Sequence, residues 1–296
     1  MKEKALVILA AGQGSRYGGM KQVESVGPNN EFIMDYSIYS AKKYGFTKII
    51  LVIREEYLSV FKNSIGSRWS DKIEINYAFQ KLDDIPSNFS VPKARVKPWG
   101  TAHAIYCARK FINSNFGVIT ADDFYGDDAF KVLSKCLDED NYSIVGYEID
   151  STLSFNGAVK RGVVINENGK VTSIIESSCQ RENDKVRCIP LDKTKQEFLV
   201  DKNQSVSMLM NGFTKRILDV IEENMEKEFE NNKDNLLDYE MLLPDIMDQE
   251  IQNGMLIKVV NTKSTWMGIT YKQDLDSLKK FILNEIKKGI YPNNLV

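Results

Sequence analysis

ALVILAAGQGSRYGGMKQ, residues 5–22, decides how the rest of the chain is read. Seven apolar or small residues, Ala5 to Ala11, run directly into Gly12 and Gly14, and Arg16 and Lys21 follow. A short buried strand that ends in glycines and then basic residues has the layout of a backbone phosphate cradle. Glycine lets the main chain approach a polyphosphate and take up positive φ. The basic side chains then offset the phosphate charge. The spacing Gly12-x-Gly14-x-x-x-Gly18 is not the GxGxxG of a dinucleotide site, and no GK[ST] follows, so this is not a Walker loop.

Outward from that segment, strand and helix patterns alternate through the first half. Strands are predicted at 5–9, 48–54, 73–79 and 116–120, with helices at about 35–44, 55–65 and 100–112. The nearly continuous apolar strands imply a parallel sheet covered on both faces. The second half differs. A β-hairpin is predicted through 162–165 and 171–175, with Asn166-Glu-Asn-Gly169 as its turn. A strand at 205–210, helices at 214–229 and 239–252, a strand at 255–260 and a last helix at about 273–288 follow. Leu275, Leu278, Ile282 and Ile286 line one face of that last helix, as a core-packing stripe would.

The 296 residues, 43% apolar and 10% aromatic, suffice for a folded core and exclude a disordered chain. The formal net charge of -2 supplies no global positive field for nucleic acid, so phosphate must be held locally. Cys107, Cys136, Cys179 and Cys188 show no CxxC spacing and read as free thiols of a reducing compartment. His103 is the only histidine, which excludes a His-rich metal site. The apolar run at Ala5 is too short to span a membrane, and the expectation is a cytoplasmic protein.

Two further motifs carry chemistry. Gly100-Thr-Ala-His-Ala104 opens a helix with small residues, so a planar base can reach the backbone N–H and C=O groups. A tight helix-opening turn without a ligand is the alternative, and His103 reads as structural rather than as a catalytic base. At Val118-Ile-Thr-Ala-Asp-Asp-Phe-Tyr-Gly126 an apolar strand delivers Asp122 and Asp123 at its carboxyl end, where open α/β sheets bind ligands. Hard oxygen donors there suit Mg²⁺ bound to substrate phosphates, with Asp122 the metal ligand and Asp123 a loop or capping aspartate. Lys81 to Trp99, with three prolines and Lys93, Arg95 and Lys97, is a long loop of the kind that serves as a lid or a surface excursion.

Together these segments resemble the nucleotidyltransferase superfamily that includes the sugar-1-phosphate nucleotidylyltransferases. LAAGQGSRYGGMKQ is similar to its signature loop, GTAHA to its base-binding turn and TADDFYG to its metal-binding strand end. Lys21-Gln22, in place of Lys-Pro, also resembles cytidylyltransferases of that superfamily. The resemblance implies an α/β fold: a Rossmann-like, mixed, mostly parallel sheet flanked by helices, glycosyltransferase-A-like, with a smaller hairpin-containing acceptor part. It implies one domain, with a nucleotide-binding half at 1–140, an acceptor-binding half at 141–270 and a C-terminal helix at 271–296.

It also implies roles for individual residues. The backbone of Leu9, Ala10, Ala11, Gly12, Gln13, Gly14 and Ser15 would wrap the nucleotide. Arg16 would bind the β- and γ-phosphates, and Lys21 would bridge the α-phosphate and the acceptor. Gln80 would read the base together with Gly100 and Thr101. Asp122 would hold Mg²⁺. In VKRGVV and IIES, Lys160 is implied for the acceptor phosphate and Glu176 for acceptor hydroxyls. Loop position adds Lys97 as a residue that reaches phosphate or substrate.

Two segments depart from the superfamily pattern. Near the late tryptophan, Thr265-Trp-Met-Gly-Ile-Thr-Tyr-Lys-Gln-Asp274 has no carboxylate at the expected place, leaving Thr270 or Asp274 as substitutes. In Ser207-Met-Leu-Met-Asn-Gly-Phe213, Asn211 is the candidate acceptor-binding asparagine. The implied reaction is Mg²⁺-dependent transfer of a nucleotidyl group from an NTP, UTP first, to a sugar 1-phosphate. The alternatives are a CTP-dependent enzyme acting on an amino-alcohol phosphate and a non-catalytic nucleotide-binding regulator. The expected partners are an NTP and a small phosphorylated acceptor, with no nucleic acid or membrane; self-association into a homo-oligomer is left open.

Overall fold

The computed structural model describes residues 3–12, 24–154, 157–269 and 272–296. The first half runs β1 (Ala5–Leu9), α1 (Ile33–Lys43), β2 (Lys48–Ile53), α2 (Leu58–Phe61), α3 (Ser67–Trp69), β3 (Glu74–Phe79), α4 (Thr101–Cys107), β4 (Phe116–Thr120), β5 (Asp123–Phe124) and α5 (Asp127–Cys136). The second half runs β6 (Tyr142–Glu148), α6 (Ile149–Thr152), β7 (Val159–Glu167), β8 (Lys170–Glu182), β9 (Lys185–Pro190), β10 (Phe198–Asp201), β11 (Ser205–Phe213), α7 (Arg216–Asn231), α8 (Leu243–Gln252), β12 (Ile257–Asn261), β13 (Met267–Gly268) and α9 (Lys272–Lys287).

One large sheet has the order β10-β9-β8-β12-β6-β11-β4-β1-β2-β3, with β7 beside β11 and β8. It is mixed. β4, β1, β2 and β3 are mutually parallel, as are β12 and β6, and the other pairings are antiparallel. The parallel part follows from helices and long connections between strands, whereas the short turn between β7 and β8 joins antiparallel neighbours. Side chains alternate across a strand. Leu6 and Ile8 of β1 therefore enter the core on one face, and Ala5 and Val7 the core on the other. A strand buried on both faces must be apolar at every position, which is why 5–11 reads as a continuous run.

α1, α5 and α9 cover the first face, and α4, α7 and α8 the second. Leu278 and Ile282 of α9 are buried, with Leu275 and Ile286 packed beside them, so the stripe on the last helix is spent on the core. The helix predicted at 55–65 is broken: α2 gives way to a wide π turn at Lys62–Gly66 before α3.

The Lys81–Trp99 stretch is tied down rather than left as a free flap. Arg95 is 4% exposed, stacks 3.5 Å from the Trp99 ring, and donates to the carbonyls of Leu236, Leu237, Pro98 and Tyr239 at 2.6–3.0 Å. Trp99 Nε1 donates to the Leu82 carbonyl at 2.8 Å. Asp84 accepts two hydrogen bonds from Arg109, at 2.8 and 2.9 Å. These anchors spend Arg95, one of the loop's three cations from Lys93 to Lys97, on carbonyls instead of phosphate.

Candidate active site

The chain steps from β1 to β2 on one side and to β4 on the other, so the sheet order reverses at β1. Crevices form at such switch points, outside the carboxyl ends of the strands. Here the carboxyl ends of β1 and β4 are stitched together: Ala121 N donates to Leu9 O at 3.1 Å. On the β2 side, Ala10 N donates to Val52 O at 2.8 Å. Ala10 and Ala11 are buried, and Gly12 emerges exposed at the crevice. Gln13, Gly14, Ser15, Arg16 and Lys21 lie outside the described residues, as does Thr270.

At the carboxyl end of β3, Gln80 N donates to Ile53 O, which places its side chain on the same edge of the sheet. Its Nε2 donates to Gly100 O at 2.9 Å and faces His103 Nδ1 at 3.3 Å. Gly100 opens α4 with φ 101° and is buried. The hydroxyl oxygen of Thr101 accepts from Leu243 N at 2.9 Å, tying the start of α4 to the start of α8. Gln80, Gly100 and Thr101 thus stand together, although they are up to 21 residues apart in sequence. His103 is fully buried, and that burial lowers its pKa, so the imidazole is a neutral structural group.

Asp122 and Asp123 follow β4. Thr120 Oγ1 donates to Asp123 at 2.8 Å, and β13 pairs antiparallel with β5, setting Gly268 opposite Asp123. The late Trp266-containing segment therefore lies against the aspartates. Burial, and then the neighbouring charge of Asp122, push the Asp123 carboxyl up to about 7. A closely spaced pair of carboxylates, one of them resisting ionisation, suits a divalent cation. Two carboxylates completed by substrate phosphate and water oxygens is the donor set Mg²⁺ takes. Among the described residues no three His, Cys, Asp or Glu side chains cluster as an all-protein metal site. Asp274 sits in the first turn of α9.

Beside the aspartates a cavity of ≈ 220 Å³ is lined by Thr120, Asp123, Lys160, Arg161, Glu176 and Asn211, with Met208, Leu209, Ile174, Pro244 and Met247 as apolar walls. Three of the four residues expected to hold the acceptor, Lys160, Glu176 and Asn211, converge here. The fourth, Lys97, is not among the lining residues; it forms an ion pair with Glu240 at 2.6 Å. Lys160 and Glu176 come from neighbouring strands: Gly162, two residues after Lys160, pairs with Glu176. A Cβ on Gly162 would lie 2.8 Å from Glu176 Oε1, so glycine keeps the carboxylate's space open. Burial, followed by the charge of Asp245, raises the Glu176 pKa. Asn211 is 2% exposed, and its Oδ1 accepts no hydrogen bond among the described residues. An unsatisfied buried acceptor on a cavity wall calls for a donor from a ligand or a water.

Arg161, Thr120 and Leu209 are residues of this site that the sequence did not single out. Arg161 donates to Thr152 Oγ1 at 3.0 Å and to Thr152 O, and sits 4.9 Å from the Trp266 ring centre. Leu209 has φ 59°, rare for a branched residue, at the point where β11 carries two more residues than β6. Successive residues of a strand face opposite ways, so placing Lys160 at the site points its neighbour Arg161 away from it, and alternation misdirects the reading. Nothing local betrayed Leu209.

A family model described as nucleotidyl transferase matches residues 5–182. No curated protein matches the chain in sequence. Among solved structures, a putative glucose-1-phosphate thymidylyltransferase from Bacillus anthracis, in complex with a sucrose, superposes with a TM-score of 0.64 at 16% identity, covering 94% of each chain. The inositol-1-phosphate CTP transferase from T. maritima superposes with a TM-score of 0.64 at 16% identity, covering 98% of each chain. At these identities the two structures speak for the fold.

Proposed function

The chain belongs to the nucleotidyl transferase family, and from that premise we propose that it transfers the nucleotidyl group of UTP to a sugar 1-phosphate, with Mg²⁺, releasing pyrophosphate. One observation carries the reading. The glycine-bearing end of β1, the Asp122–Asp123 end of β4 and the cavity holding Lys160, Glu176 and Asn211 adjoin along one edge of the sheet.

The nucleophile is an acceptor phosphate oxygen that attacks the α-phosphorus in line. It is already an anion, so no general base is required, in keeping with a lone histidine that is buried and engaged. Catalysis then rests on positioning and charge. The backbone of Leu9 to Ser15 cradles the triphosphate, Arg16 neutralises the leaving pyrophosphate, and Lys21 spans the α-phosphate and the acceptor. Gln80, Gly100 and Thr101 hold the base. Lys160 orients the acceptor phosphate, while Glu176 and Asn211 accept from acceptor hydroxyls. Asp122, with Asp123 beside it, would hold Mg²⁺, which supplies charge neutralisation on the phosphates.

The cavity also supports a second reading. Its lining sets Asp123 and Glu176 beside Ile174, Met208, Leu209, Pro244 and Met247, with Lys160 and Arg161 also present, so carboxylates and apolar contacts are available to the ammonium and methylenes of an amino-alcohol phosphate, with CTP as donor. Pyrophosphate release across a panel of NTPs and phosphorylated acceptors separates the two. Asp122→Ala should lower Mg²⁺-dependent turnover by about a hundredfold or more, as for loss of one strong electrostatic contact. Unchanged turnover removes the metal assignment. Nucleotide binding with no turnover on any acceptor would leave a regulator instead.

A further inference from the structure

Two carbonyl oxygens near the Gln80 and His103 side chains have fixed hydrogen-bonding character. The Asp84 carbonyl can only accept, and it lies 2.8 Å from His103 Nε2. His103 Nε2 therefore carries the imidazole hydrogen, and Nδ1 is left with a bare lone pair. That lone pair faces the Gln80 amide at 3.3 Å, and the Gly100 carbonyl, another obligate acceptor, faces the same amide atom at 2.9 Å. An atom between two acceptors must be the nitrogen. Both its hydrogens are then spent, and Oε1 is the end left to a ligand. No donor to that oxygen is present among the described residues.

The frame around the imidazole is built to hold this arrangement. His103 is fully buried one turn into α4. Asp84 is itself fixed by Arg109, through hydrogen bonds of 2.8 and 2.9 Å. Cys107, one turn further on, closes the other side, with Sγ 3.7 Å from the ring.

We propose that His103 is a positioning residue that locks the Gln80 amide oxygen toward the nucleotide base, and that the site thereby selects bases with a ring N–H over bases whose corresponding ring nitrogen is bare. Uracil, thymine and guanine carry that N–H; cytosine and adenine present a lone pair, which the oxygen repels. The proposal rests on the reading that Gln80 faces the base, and it favours UTP or dTTP over CTP among pyrimidines.

The test is calorimetric binding of UTP, dTTP, CTP and inorganic tripolyphosphate to the full chain with Mg²⁺. The wild type should bind UTP or dTTP at least about tenfold more tightly than CTP, as one matched against one mismatched hydrogen bond gives. His103→Leu removes one of the two acceptors that hold the Gln80 nitrogen, so it should lower that ratio severalfold and leave tripolyphosphate binding unchanged. His103→Gln, which can accept from Gln80 and donate to Asp84, should restore the ratio. A merely structural histidine would weaken every ligand together, and an unaltered UTP to CTP ratio in folded His103→Leu overturns the proposal. So does a wild type that prefers CTP. Nitrogen-15 chemical shifts of the single imidazole provide a check without any variant: a bare Nε2 overturns the proposal outright. If the wild type binds neither tripolyphosphate nor any NTP, the nucleotidyl-transfer reading falls and takes this proposal with it.

Discussion

A Cβ placed on Gly100 would overlap the carbonyl oxygen of Met241 and lie 2.8 Å from the Met241 nitrogen. The two segments are also joined by hydrogen bonds, Met241 N to Trp99 O at 2.7 Å and Ala102 N to Met241 O at 3.1 Å. The turn that opens α4 is therefore shaped by the chain just before α8. Gly100→Ala combines a φ of 101° with a backbone overlap, and should cost about 3–5 kcal/mol. Urea unfolding measures the loss; a change below about 1 kcal/mol would mean that Met241 yields easily.

Arg95 should behave as a structural cation. Arg95→Ala leaves four carbonyls without their donor and strips the face of Trp99, at an expected cost of about 3 kcal/mol or more. Arg95→Lys should recover little, because an ammonium cannot reproduce the guanidinium fork. Chemical denaturation of both variants checks this, and NTP affinity in whatever fraction stays folded should hold.

His103 gives a pH dependence with a definite sign. Burial, opposed by the Asp84 carbonyl and charge and aided by Arg109 and Arg95, lowers its folded-state pKa below the ordinary 6.5. The unfolded chain then binds a proton that the native state refuses. This contribution to stability is fully present above pH 6.5 and is lost as pH falls further, by up to about 1.4 kcal/mol per pH unit. Because no other histidine exists, the stability difference between wild type and His103→Gln isolates it. That difference should shift against the wild type between pH 6.5 and 5; a flat difference would show that the imidazole ionises freely in the fold.

At the cavity proposed to take the acceptor, Lys160→Ala and Glu176→Gln should raise KM for the phosphorylated acceptor about tenfold or more, with KM for the NTP little altered. Lys160 is exposed, so its variant should cost almost nothing in stability. Steady-state kinetics with each substrate varied in turn separates the two effects. A rise confined to the NTP would relocate both residues to the nucleotide side.

The crevice at β1 and β4 was legible because a strand buried on both faces writes its burial into every position, and because glycine and aspartate at strand ends have few other uses. The hairpin was legible from its Asn-Gly turn. The strand order was not. β11 sits between β4 and β6 through pairings such as Asn211 with Val118, which join residues 93 apart, and no local pattern encodes that. The same blindness hid the role of Met241 and left the proline-rich stretch open between a lid and a surface excursion, since three of the carbonyls that hold Arg95 lie more than 140 residues downstream. Nor did any local pattern signal the ion pair of Lys97 with Glu240, 143 residues downstream.

The position of β11 decides what happens if the chain is cut. A fragment ending at residue 140 would contain every residue of the parallel sheet β4-β1-β2-β3, yet it would expose the edge of β4 that β11 covers and lose the Met241 brace of the Gly100 turn. Such a piece should aggregate on expression, since an unprotected central edge is a template for intermolecular pairing. Co-expression with residues 141–296 should return it to solution. The two halves of the chain are thus bound into one sheet, and neither offers the other's strands a finished edge.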